Sequence, residues 1–324
     1  MAIADLEITE TLVRKERSLA QESWIRLRRN KVAVISLIFI GVLVLTAIFA
    51  NFIAPFDFAS QDLLLNNSVP KWMLFLLPDN AENYATITDK FPLGADHLGR
   101  DLLSRVLYGA RVSLSFAFVA SGVSLIIGTI YGMISGYVGG RVDNVMMRIV
   151  DFLYAFPFLV VVILLQTYFK AIERRGGGGF IFELNSQMGG MFFLFIAIGL
   201  IDWIGMARIA RGSVLQYKRM EFVGASGTRI MLKHLLPNLL GPLIVAESLN
   251  IPGYIFTESF LSFIGLGVNA PTPSWGIMIS ESIQGLRSYP NQVLVPAIAL
   301  SLTTLAFNFL GDGVRDALDP RLKQ

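Results

Sequence analysis

The chain has no cysteine among its 324 residues. That excludes disulfides, cysteine-held metals and thiol nucleophiles. Histidine is nearly as scarce. His97 and His234 are the only two, too few and too far apart in sequence for a His-based metal site. No G-x-x-x-x-G-K-[ST] run occurs, so the chain carries no Walker-type nucleotide loop. Charge is thin as well, at 16% against about 25% in an ordinary soluble domain. Hydrophobic residues make up 54%, and the mean hydropathy is +0.59. These shortages describe an integral membrane protein in contact with membrane lipid. The net charge of +3 does not point to nucleic acid, because the basic residues sit at the ends of apolar runs, where a membrane protein needs them.

What is present is a series of apolar runs. A helix needs about 20 apolar residues to cross the hydrocarbon layer. Six segments approach or reach that length: Val32–Ala54, Val112–Gly136, a third opening at Asp151–Leu165, Met191–Ala207, Leu243–Ile264 and Val293–Leu310. The predicted fold class is all-α, with six transmembrane helices and both ends in the cytoplasm. The order is a cytoplasmic tail over 1–31, a first span over 32–54, and an external loop with a structured end over 55–111. A five-helix core over 112–310 follows, then a cytoplasmic tail over 311–324. On this topology two thirds of the 27 Lys and Arg residues face the cytoplasm, the bias expected of inner loops.

Within the spans, Gly128 and Gly132 have G-x-x-x-G spacing, which lets helices approach closely in lipid. Pro157 is a candidate kink, and Gly176–Gly179 reads as a flexible linker between Lys170 and Gly190. Tyr137–Arg148 reads as a short loop. Three acids fall inside spans: Asp202, Glu247 and Glu258. An intramembrane charge costs about 2.5–3.5 kcal/mol on insertion scales, so such groups face the bundle or water. They are the candidate pathway-lining residues, with Asp202 expected to pair with nearby Arg208. Asp96, His97, Arg100 and Asp101 read as a hydrogen-bonding cluster rather than a metal site. No catalytic constellation is found.

The most polar internal run is Arg211–Pro242, inside a loop over 208–242. It carries Arg211, Lys218, Arg219, Arg229 and Lys233 against one acid, Glu221. Met231, Leu232, Leu235 and Leu236 recur at helical spacing, and Pro237 is expected to limit that helix.

This run resembles the cytoplasmic signature loop of the membrane subunits of bacterial ABC importers, in the dipeptide, oligopeptide and nickel branch. GASGTRIMLKHLLPN (224–238) carries the second half of that signature. FPLGADHLGRDLLSRVLYGARVSL (91–114), DFLYAFPFLVVVILL (151–165), SFIGLGVNAPTPSWGIMI (262–279) and GDGVRDALDPRLK (311–323) resemble the same branch. The resemblance implies a permease in the bacterial inner membrane that forms half of a translocation pathway for peptides or a related solute. It implies a second homologous permease subunit, two cytoplasmic ATPase subunits that hold ATP and Mg, and an extracytoplasmic solute-binding protein. This chain would bind no cofactor or metal of its own. Its ATPase-coupling residues would be Glu221, Phe222, Val223, Gly224, Ala225, Ser226, Arg229, His234, Leu236 and Pro237.

The first half of the signature departs from the family. Glu221-Phe222-Val223 runs directly into Gly224, where the branch has a Glu-Ala-Ala stretch of about six more residues. Six helical residues amount to roughly 9 Å, enough to remove one arm of a helix–turn–helix, so weakened coupling to the ATPase is expected. The alternative function is an ion-driven transporter or channel using Asp202, Glu247 and Glu258 as a proton relay. It leaves the motifs unexplained, and the sequence shows no inverted repeat of the kind common in secondary transporters.

Overall fold

The structure is a computed structural model and describes residues 19–79, 83–176, 179–218 and 231–318. Helix α1 (Leu19–Arg29) ends in Arg26, Arg28 and Arg29, basic residues that suit the negative end of its dipole. The Asn30 side chain accepts from the Ala33 N–H at 3.1 Å and starts α2 (Lys31–Ile48). After its first residue α2 has no charged side chain, and it meets the short α3 (Ala50–Ile53). The segment 55–101 is polar but built. It contains 3-10 turns at Leu63–Leu65 and Lys71–Leu76, a bridge between Val69 and Ile87, and a small core of Val69, Met73 and Leu77.

Helix α4 (Leu102–Val138) is 37 residues long, about 55 Å at 1.5 Å per residue. It begins ten residues before the expected start at Val112. The hydropathy of Leu102–Arg111 is too low to signal a span, but Asp101 caps it, accepting from Ser104 N–H at 2.8 Å and from Ser104 Oγ at 2.6 Å. The excess over the roughly 30 Å hydrocarbon layer therefore projects as ordered helix. Gly139 and Gly140 take φ of +71° and +58°, open only to glycine at low cost, and turn the chain into α5 (Gly140–Tyr154). The expected loop Tyr137–Arg148 is thus mostly helix. Helix α5 and α6 (Phe158–Arg174) are bent by 76° across Ala155–Pro157, so Pro157 does mark a break.

Helix α6 runs on to Arg174, and α7 (Phe180–Gln187) fills much of the expected outer linker. Gly177 and Gly178 lie outside the described residues. Helices α8 (Met191–Gly199) and α9 (Trp203–Lys218) form one span with a junction at Leu200–Asp202. A π-helical turn at Met231–Leu235 leads straight into α10 (Leu236–Phe263). Pro237 therefore does not end a helix. It sits in the first turn of α10, where an N–H is not needed, and Pro242 and Pro252 lie deeper in the same helix. Helices α11 (Trp275–Ser282) and α12 (Pro290–Leu318) complete the chain.

Among the described residues five helices are long and apolar enough to cross a membrane, and there are six if the bent α5–α6 pair is counted as one span. The all-α, six-span class stands. The main core joins α2, α4, α8, α10 and α12 through residues such as Ile40, Phe116, Leu194, Ile255 and Phe307. A second core ties α9 and α10 to α4 through Met133, Met206, Val214 and Leu239. Helix α1 lies on the end of α12, with Leu27 and Ala33 against Gly313, so α1 and the end of α12 share one end of the bundle.

Candidate functional site

Three places in the bundle hold the residues singled out by the sequence. The first is a cavity of about 610 Å³ lined in part by the α5–α6 bend. Its walls include Leu153, Phe156 and Phe158 from the bend, Asp202 and Gly205 from the α8–α9 span, and Asn250 and Thr257 from α10. Asn250, Gly253, Tyr254 and Thr257 recur at three and four residues, so one stripe of α10 lines it. Asp202 is the one acidic or basic side chain in that lining, and its Oδ2 is buried without a hydrogen-bond partner among the described residues.

The expected pairing of Asp202 with Arg208 does not form. Arg208 instead bonds Asp151 at 2.8 Å and lies 4.3 Å from the Tyr154 ring centroid. Asp202 sits in the junction before α9 begins at Trp203, and six residues are about 120° apart around a helix, so the two side chains do not share a face. Asp202 faces the cavity and Arg208 faces α5.

Beside the cavity, Glu247 and Glu258 lie on the adjoining stripe of α10 and are buried. Glu247 accepts from Tyr254 Oη at 2.9 Å and from Ser124 Oγ of α4 at 3.2 Å. Ser124 also reaches the Asp202 carbonyl at 3.3 Å, so it joins the two acid-bearing spans. Glu258 is fully buried and accepts from Ser113 at 2.7 Å and Ser262 at 2.7 Å. Ser113, Ser124 and Tyr254 were not read as functional. The spacing of Glu247, Tyr254 and Glu258 by seven and then four residues could have shown Tyr254, because those positions share one helix face.

The second place flanks the signature loop. Glu221, Phe222, Val223, Gly224, Ala225, Ser226 and Arg229 lie outside the described residues, as does the junction where about six residues were expected. His234 lies in the π-helical turn, and Leu236 and Pro237 open α10. The flanks are tied down. Arg211 grips Asp143 with two hydrogen bonds of 2.5 and 2.6 Å, and Ser135 donates to the same carboxylate at 2.5 Å. Lys218 donates to the Tyr137 carbonyl at 2.7 Å at the end of α4. Asp143 and Arg211 are 68 residues apart, so no local pattern announces them.

The third place is the opposite end. Asp96, Arg100 and Arg105, all buried, meet the exposed Glu281 of α11 in an ion network. Arg100 bonds Asp96 at 2.6 Å and Glu281 at 2.9 Å. Arg105 bonds Glu281 at 3.0 Å and also contacts Asp96. Burial alone would push the Asp96 carboxyl up, but Arg105, Arg100 and two backbone N–H groups outweigh it and hold the carboxyl below its usual range. His97 is exposed beside this network. Asp96, His97 and Glu281 could in principle surround a cation. Two guanidinium groups already balance both carboxylates, so the arrangement supplies no net negative charge for one.

The geometry is therefore that of a helical bundle with an acid-lined intramembrane cavity and two of its helices leading away from it. Residues 128–324 match the family described as the binding-protein-dependent transport system inner membrane component. The chain belongs to this family. Residues 18–76 match the N-terminal transmembrane domain of oligopeptide transport permease C. An oligopeptide transport system permease protein of Bacillus subtilis is 39% identical over 100% of this chain and 96% of its own length. A dipeptide transport system permease protein of the same organism is 39% identical over 97% and 90%. An oligopeptide transport system permease protein of Haemophilus influenzae is 40% identical over 94% and 89%.

This protein is thus an inner-membrane permease of an ABC importer, a transport subunit rather than an enzyme. It works in a complex with ATPase and binding-protein partners. The ion-driven alternative has no support from these relationships.

Proposed function

We propose that this permease forms half of the translocation pathway of an ATP-driven peptide importer. The assembly proposed is a second homologous permease subunit, two cytoplasmic ATPase subunits that bind ATP and Mg, and one extracytoplasmic solute-binding protein. Both ends of this chain lie in the cytoplasm in this reading. The charge bias of the loops supports that orientation, as does the packing of α1 on the end of α12. The relatives named for oligopeptide and dipeptide transport support the solute class.

The observation that carries the reading is that α9, and α10 with the π-helical turn Met231–Leu235 before it, run from the cavity to the two ends of the segment 219–230. Helix α9 has 16 residues, about 24 Å of stiff rod. Its first turns border the cavity beside Asp202, and its last residue is Lys218. A displacement applied to the signature loop by closing ATPases would therefore be felt at the cavity wall. Glu221, Phe222, Val223, Gly224, Ala225, Ser226, Arg229, His234, Leu236 and Pro237 are the proposed coupling residues. Asp202 is the proposed pathway-lining residue at the cavity face, with Glu247 and Glu258 bordering the pathway one layer behind it.

The alignment with the Bacillus subtilis oligopeptide relative runs over 329 positions against 324 residues here, so the relative has positions with no counterpart in this chain. That is compatible with a shortened signature loop. Two experiments test the reading. Purified from its native membrane in mild detergent through a C-terminal tag, the chain should bring a second permease and ATPase subunits with it. Recovery of the chain alone would refute the assembly. Inserting about six residues of the family signature after Val223 should raise ATP-dependent uptake of a labelled tripeptide severalfold, and an unchanged rate would refute impaired coupling.

A further inference from the structure

Resting on the pathway reading above, we propose that Asp202 is the subsite that receives the ammonium group of the solute as it crosses the membrane. The cavity at the α5–α6 bend has the volume of a small-molecule site, at about 610 Å³. Its wall is mostly apolar and aromatic, and among the described residues Asp202 is its one acidic or basic lining residue. The cations on the neighbouring helix faces are committed elsewhere. Arg208 is held by Asp151 at 2.8 Å, and Arg211 by Asp143 through two bonds. One carboxylate oxygen of Asp202 is buried with no hydrogen-bond partner among the described residues. A buried acceptor left open costs about 1–3 kcal/mol, more for a charged one, and an intramembrane charge is kept where it serves a site.

The group that completes such a site is a compact cation with several N–H donors, which describes a primary ammonium. Asn250 and Thr257 supply neutral polar atoms on the facing wall. Among the described residues no Lys or Arg lines the cavity to receive a carboxylate. The site therefore reads the amino end of a peptide and ignores its carboxyl end, which suits solutes of varied length.

The absence of native cysteine permits a direct test in the complete importer in proteoliposomes. Thr257→Cys places the chain's one thiol on the cavity wall, and modification is read on this chain by intact mass. Two methanethiosulfonate reagents of similar size are compared, one carrying an ethylammonium and one an ethylsulfonate. Their rate ratio on free cysteine is the reference. With Asp202 present, the ammonium reagent should be favoured at least tenfold beyond that reference. Asp202→Asn should abolish the preference, and Asp202→Glu should retain it. Trialanine should protect the thiol during turnover, and N-acetyl-trialanine should not.

A ratio equal to the reference with Asp202 present overturns the ammonium subsite whether or not the variants fold. Equal protection by both peptides also overturns it while leaving the pathway reading intact. A thiol that reacts but is protected by neither peptide, or that reacts with neither reagent, removes the cavity from the pathway and overturns both.

Discussion

Helix α4 is held in two different ways along its length. Its first turns, beyond the expected span, are fixed by charge: Arg105 is buried and bonded to Glu281, next to Arg100 and Asp96. Its last turns are fixed by shape. Gly128, Gly132 and Gly136 lie directly against α9, where a Cβ on Gly128 would come within 2.6 Å of Met206 Cβ and 2.8 Å of the Trp203 carbonyl. In lipid there is little hydrophobic drive between helices, so close backbone approach supplies the attraction. Near the water, a closed ion network can be afforded because its members remain mutually satisfied. One helix thus has an end locked by electrostatics and an end where close packing is joined by the Ser135–Asp143–Arg211 bonds, and the packed end faces α9, the helix that leads to the signature loop.

The comparison is broken most severely at Gly132. A Cβ there would overlap the Ala207 carbonyl and lie 2.7 Å from Ala210 Cβ and 2.9 Å from Arg211 N. Two of these are backbone atoms and cannot rotate away, so α4 and α9 must separate. Gly132→Leu is expected to cost more than the roughly 1–3 kcal/mol of ordinary overpacking. Size-exclusion chromatography in detergent should show loss of monodisperse protein, and a monodisperse, active variant would refute close packing at this crossing.

Arg105→Ala comes next. It leaves Asp96 with one guanidinium fewer in a buried site, a change that costs about 3–5 kcal/mol in comparable pairs. The pH dependence gives a sharper reading. The Asp96 carboxyl is held low in the folded protein, so its ionisation stabilises the fold above the unfolded value. That stabilisation is lost as pH falls through the depressed folded value. The wild type should therefore lose thermal stability from about pH 4 downward, and Arg105→Ala should be less stable at neutral pH but flatter over that acid range. A parallel acid curve would show that Arg105 does not set the Asp96 ionisation.

These two regions also differ in how far the sequence announced them. The glycine stripe was legible, because small residues four apart in an apolar run mean one thing in lipid. Of the expected hydrogen-bonding group Asp96, His97, Arg100 and Asp101, Asp96 and Arg100 join the ion network, Asp101 caps α4 and His97 stays exposed; the partner Glu281 was not legible, being 181 residues from Arg100. The six spans followed from hydropathy. The extra turns of α4 and most of α5 did not, because a helix carrying charged and polar side chains looks like loop to a hydropathy count. At the cavity, Asp202 stood out as a charge in a span. Its partner was misassigned to Arg208, because nearness along the chain was taken for nearness in space. The α5–α6 bend that shapes the cavity was visible only as Pro157.

Arg211→Ala tests the packed end without disturbing the packing. Arg211 is about one-third exposed at its side chain, so the stability change should be modest, near the 0–1 kcal/mol of surface pairs and above it only through the two-bond geometry. Its effect should appear in transmission instead, since the bond ties α9 to the start of α5, whose other end forms the cavity bend. The expected result is a near-normal melting temperature with ATP hydrolysis retained and tripeptide uptake reduced severalfold. Asp143→Asn should behave alike. A proportional fall in hydrolysis and uptake would make the pair a docking element rather than a link in transmission.

The smallest effect should come from Gly122, in the same helix between the two locked ends. A Cβ there meets nothing within 4 Å. Gly122→Ala should change stability by no more than the helix-propensity gain of about 1 kcal/mol, and in the favourable direction. Against Gly132→Ala it isolates geometry from composition: both are glycines of one apolar helix, ten residues apart, and only Gly132 lies against α9. If both substitutions were equally harmful, the damage would come from replacing glycine in α4 as such, and the close contact with α9 would not be what holds this end of the helix.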